Sequence, residues 1–134
     1  MSYSITLPVN PVPCPRPQFN LRSGATYYSQ IYNTFKAEAA RALPGALMAA
    51  GLHSKLLGPL IVSLLLRVTQ PKKTKLEFPK PDVDNYCKSV LDACNGLAWE
   101  DDYQVVALHA EKEWAAPGVA GEVIITIKEL RANS

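Results

Sequence analysis

The chain has 134 residues, of which 48% are hydrophobic and 19% charged, and a formal net charge of +2. That balance excludes a disordered polar chain, and the length fits a single domain, residues 1–134, able to bury a core without disulfide or metal staples. The near-neutral total hides a division: residues 1–81 hold ten Lys or Arg against two acids, a balance of +8, while residues 82–134 hold four against ten, a balance of −6.

Along the chain, Tyr3, Ile5 and Leu7 alternate with Ser4 and Thr6, which predicts a strand over Tyr3–Pro8. The stretch from Val9 to Thr26 is rich in Pro and turn formers and predicts a long surface loop carrying Arg16 and Arg22. From about Tyr28 to Ala50 the period becomes helical, with Pro44-Gly45 expected to break or kink the helix after Leu43. Leu60 to Thr69 is the clearest strand: Leu60, Val62, Leu64, Leu66 and Val68 form one apolar face, while Ile61 and Leu65 are expected to make the other face half buried. A basic loop with Lys72, Lys73, Lys75 and Lys80 follows. A helix then starts near Val83, with the stripe Val83, Tyr86, Cys87, Val90, Leu91 and Cys94 on one face, and Asn95-Gly96 ends it. Gln104–Trp114 and Glu122–Leu130 read as two strands joined through Pro117-Gly118, as in a hairpin. The order βαβαββ predicts an α/β (α+β) domain, one mixed sheet with helices against it.

The N-terminus does not read as a signal peptide, and no apolar stretch approaches the roughly 20 residues needed to span a bilayer. Three cysteines without a Cys-x-x-Cys pair lead to the expectation of a reducing cytosol, with no zinc site and no disulfide framework.

The chemistry concentrates between Lys80 and Gln104. Asp82 and Asp84 bracket a helix start, where an N-cap and a favourable helix-dipole contact would account for them. Glu100, Asp101 and Asp102 form a second acidic group beyond the helix, and a short return is expected to bring the two groups to one end of the domain. Converging carboxylates repel and call for a cation, and oxygen ligands without His or Cys specify a hard one, Mg²⁺ or Mn²⁺. Lys88 lies one turn after Asp84, on the polar face with Asp92. It either makes a solvated ion pair or contacts a phosphate beside the metal. Asp92 reads as structural, Trp99 and Tyr103 as core or wall, and Asn85 as a cap or a residue orienting a carboxylate.

Asp82-x-Asp84-Asn85-x-x-Lys88, then Leu91-Asp92-Ala93, then Asp101-Asp102-x-Gln104-Val105-Val106 closely resembles the signature of the RusA family of Holliday junction resolvases. Tyr3-Ser4-Ile5-Thr6-Leu7-Pro8, Pro15-Arg16-Pro17 and Thr26-Tyr27 also fit. The resemblance implies a homodimer that nicks two strands of like polarity across a four-way DNA junction with Mg²⁺ or Mn²⁺. It makes Asp82, Asp84 and Asp102 the metal ligands and Lys88 the catalytic lysine. It suits a bacterial cytosol and a phage or prophage gene. Some members carry an arginine before the first aspartate, where this chain has Pro81. The DNA-contacting cations expected here are therefore Arg16, Arg22, Lys72, Lys73, Lys75 and Lys80.

Overall fold

In the computed structural model, which describes residues 1–15, 18–19, 26–27 and 30–131, the elements follow one another as β1 (Ser2–Leu7), β2 (Gln18–Phe19), β3 (Thr26–Tyr27), α1 (Gln30–Ala49), β4 (Leu60–Val68), α2 (Val83–Cys94), a 3-10 turn (Asp102–Gln104), β5 (Val105–Trp114) and β6 (Glu122–Glu129). Four strands make one mixed sheet in the order β1-β6-β4-β5, and β2 and β3 pair separately. This is the α+β architecture that the element order predicts.

The centre of the sheet follows from hydrophobicity. Leu60, Val62, Leu64, Leu66 and Val68 are buried, and the intervening residues of β4 are half-buried. A strand with one fully apolar face and apolar residues on the other is suited to an interior position. It pairs with β5 in parallel and with β6 antiparallel. A parallel partner requires a long crossover, and α2 lies within it, packed against β5.

The expected hairpin between the last two strands does not form, because β4 lies between β5 and β6. The segment joining them instead crosses the end of β4. Gly121 donates its N–H to Thr69 Oγ1 at 2.9 Å. A Cβ at Gly121 would stand 2.6 Å from the Arg67 carbonyl oxygen and would also strike Asn10 Oδ1. Only glycine fits so close a backbone approach. Pro117-Gly118 marks a turn in the crossing, with Gly118 at φ +78°.

The helix α1 buries Tyr32, Phe35, Ala39, Leu43 and Leu47, and it runs through Pro44 instead of stopping there. Pro44 and Ala40 are both exposed, so the carbonyl that loses its amide partner meets solvent. The stripe of α2 is more selective than its sequence suggests. Tyr86, Cys87, Val90 and Cys94 are buried with Ser89, Leu91 is half-buried, and Val83 is exposed. Ser89 explains its own burial, since its hydroxyl donates to the Val12 carbonyl at 2.6 Å and ties the N-terminal segment across the helix. Gly96, at φ +82°, ends α2 as a left-handed residue. The fully buried Trp99 donates to Asn95 Oδ1 at 2.7 Å and locks the return. All three cysteines are free thiols, and burial pushes the Cys94 thiol up to about 12. Among the described residues no helix is long and apolar enough to cross a membrane.

Candidate active site

Burial of Tyr86, Cys87, Val90 and Cys94 fixes the rotation of α2 about its axis. Asp84, Lys88 and Asp92, spaced four residues apart, then lie along the opposite side, one turn from each other. Asp84, Lys88 and Asp102 line one open cleft with Val83, Leu91 and Leu108. Lys88 Nζ stands 3.4 Å from Asp92 Oδ2. The Asp92 charge, then its hydrogen bond, raises the lysine pKa and keeps the ammonium protonated. Asp92 thus pairs with Lys88 along the helix.

The second acidic group is organised by a capping box. Asp101 Oδ1 accepts from the Asp102 N–H at 2.8 Å, and Gln104 Oε1 accepts from the Asp101 N–H at 3.1 Å. Asp101 thus serves the turn, whereas Asp102 faces the cleft. The pKa of Asp102 is raised by burial first, then by a hydrogen bond and charge from Asp101 and by the charge of Asp92, with Lys88 opposing.

Asp82 occupies the N-cap position of α2 with extended backbone, yet its side chain makes no capping hydrogen bond. The cap that would account for this residue is not realised. The expected convergence of the two acidic groups is only partial. Asp84 and Asp102 share the cleft, but among the described residues no group of three or more His, Cys, Asp or Glu side chains is placed to hold a metal ion. The donor chemistry nevertheless suits a hard cation. The cleft offers carboxylate oxygens, and burial and the charge of Asp84 raise the pKa of its one thiol, Cys87, so a thiolate ligand is disfavoured.

Lys72, Lys73, Lys75 and Lys80 are all exposed, and none forms an ion pair among the described residues. With the exposed Glu77 among them, they leave a net positive band just before Asp82. Arg16 and Arg22 lie outside the described residues. Two further contributors escape a reading of the sequence. Lys112 Nζ donates to the Pro81 carbonyl at 2.7 Å, and Trp114 Nε1 donates to the Leu76 carbonyl at 2.9 Å. Their strand shows only ordinary alternation, and nothing local marks either as a contact to a loop about 30 residues earlier.

A carboxylate-lined cleft with a protonated lysine, next to a band of free cations, is suited to a divalent ion and a polyanionic substrate. The comparison with known families makes the class specific: the model of the endodeoxyribonuclease RusA family matches residues 8–128, and the chain belongs to that family. A 33-residue stretch is also 61% identical to the uncharacterized protein YqaN of Bacillus subtilis strain 168. That match spans 25% of this chain and 23% of YqaN.

Proposed function

We propose that this chain is a Mg²⁺- or Mn²⁺-dependent endodeoxyribonuclease that resolves four-way DNA junctions as a homodimer in the bacterial cytosol. The observation that carries this reading is the cleft shared by Asp84, Lys88 and Asp102 in a chain matched to the RusA family from residue 8 to 128. Asp82, Asp84 and Asp102 would hold the ion. When bound, such an ion supplies Lewis-acid polarisation of a phosphodiester and lowers the pKa of water. Lys88 offers a fixed positive charge to the phosphate, and Asp92 keeps it protonated and aimed. The described residues place Asp84, Lys88 and Asp102 in one such cleft, and the sequence has no internal repeat, so paired cuts across a two-fold junction call for a two-fold dimer.

The deciding experiment compares branched and linear duplexes with and without Mg²⁺. Paired nicks confined to the branched substrate and dependent on the ion are expected. Sedimentation at micromolar concentration should give a species of about twice the 14.7 kDa chain mass. Cleavage of linear duplex at an equal rate would reject junction selectivity, and a monomer making paired cuts would reject the dimer. A second reading is a non-catalytic junction binder, since exposed lysines alone suffice to hold DNA phosphates. It predicts junction binding with no cleavage at any Mg²⁺ concentration.

The lysine band contributes affinity without sequence choice, because phosphate contacts release counterions wherever they form. Replacing Lys72, Lys73 and Lys75 with Gln is expected to weaken binding to every junction sequence. The slope of log K against log salt should become shallower by about 0.9 for each phosphate that is no longer neutralised. An unchanged slope would place the DNA elsewhere on the surface.

A further inference from the structure

The segment between β4 and α2 carries the free lysines and ends at Asp82, and it has little regular structure of its own. Exposed loop backbone of this kind is ordinarily mobile unless tied down. Two side chains of β5 tie it. Lys112 and Trp114 are two residues apart and so project from the same face of the strand, about 6.6 Å from one another. The Lys112 ammonium donates to the Pro81 carbonyl at 2.7 Å, and the Trp114 indole donates to the Leu76 carbonyl at 2.9 Å. Between these anchors, the Phe78 ring centroid lies 5.5 Å from Lys112 Nζ, within cation–π range. Lys112 is half-buried and has no carboxylate partner among the described ion pairs. Its charge is therefore committed to the loop.

We infer that Lys112 is a positioning residue for the reaction: it fixes the main chain at Pro81 and thereby sets where Asp82 and the lysine band stand relative to the cleft. Pro81 transmits the constraint well, because its ring locks φ and the carbonyl held by Lys112 belongs to the peptide that leads into Asp82. Trp114 provides the upstream anchor. The consequence is organisational. Asp102 enters β5 from the preceding turn, and the same strand latches the loop that precedes Asp82, so one strand positions both acidic groups.

The inference rests on the assignment of Asp82 to the metal, so its test has an arm that needs no catalysis. Lys112→Met keeps the aliphatic stem and removes the donor, whereas Lys112→Arg restores a cationic donor. Cutting of the Glu77–Phe78 bond by a glutamate-specific protease should accelerate about tenfold to a hundredfold in Lys112→Met, the loss expected for one charged hydrogen bond. Amide hydrogen exchange in β4 should not change, which separates release of the loop from unfolding. In the junction-cleavage assay, Lys112→Met should need about tenfold more Mg²⁺ for half-maximal rate, as supporting residues of metal sites do. Lys112→Arg should return both readouts to within about threefold of the parent. Unchanged proteolysis at Glu77 would overturn the latch itself. Faster proteolysis with unaltered Mg²⁺ dependence, or failure of the arginine variant to rescue, would overturn its role in the reaction. If Asp82→Asn cuts normally, the metal assignment fails instead, and the proteolysis measurement still decides whether the latch exists.

Discussion

Asp82→Asn, Asp84→Asn and Asp102→Asn are each expected to lower junction cleavage by about a thousandfold while leaving junction binding intact or tighter. Asparagine keeps the size of the side chain and an oxygen acceptor but removes the charge that a divalent ion needs. Each replacement also removes a negative charge facing DNA. Asp102 allows a sharper form of the test, because its raised pKa has a definite sign for stability. The folded state binds the Asp102 proton more tightly than the unfolded state does. The contribution of this group to stability therefore falls as pH rises from the ordinary aspartate value through the raised one. Asp102→Asn should remove that part of the pH slope in urea unfolding, so the variant should be at least as stable as the parent at neutral pH. Added Mg²⁺ should stabilise the parent and not the variant. Asp101→Asn should cut at close to the parental rate, since the amide oxygen can still accept from the Asp102 N–H. Normal cleavage by all three variants would remove the assigned site, and equal loss at Asp101 and Asp102 would erase the distinction between them.

What could be read from the sequence is what depends on short-range periodicity. The alternation of β4 and the stripe of α2 each report directly which side faces the core, and the polar residues opposite the stripe follow without further information. The acidic residues at both ends of α2 were visible for the same reason. What could not be read is set by partners distant in sequence. Nothing within Gln104–Leu130 reveals that β4 separates the last two strands, since that choice depends on the stronger apolar faces of a strand about 40 residues earlier. Pro44 punctuates a helix locally, but its exposure, which makes the lost hydrogen bond tolerable, is a tertiary fact. Lys112 and Trp114 were invisible because a side chain that holds a remote carbonyl leaves no periodic trace.

Gln104 is the residue on which the acidic turn depends, and Gln104→Leu should be the most destabilising single change near the site. The side chain is 4% exposed. Its Nε2 donates to the Leu56 and Gly58 carbonyls at 2.8 and 3.0 Å, and its Oε1 accepts from the Glu100 and Asp101 N–H groups at 2.8 and 3.1 Å. Two carbonyls on one side and two amides on the other leave a single orientation of the carboxamide that satisfies all four. One side chain thus clips the turn bearing Asp102 to the loop leading into β4. Leucine is of similar size, so little cavity is expected, but four main-chain groups lose their partner. At about 1–3 kcal/mol for each buried group left unsatisfied, with water reaching those near the exposed Glu100 and Asp101, a net loss of about 3 kcal/mol is expected. For a domain of this size that lowers the melting temperature by roughly 10 °C. Gln104→Glu should do no better, because a carboxylate oxygen would replace the donor and face two carbonyls. Cleavage by Gln104→Leu should fall even at temperatures where the variant is fully folded, since Asp102 then stands on an unclipped turn. Denaturant unfolding and single-turnover cleavage at one temperature separate the two effects. A loss of stability below about 1 kcal/mol would mean that water replaces the carboxamide at every partner and that the clip is dispensable.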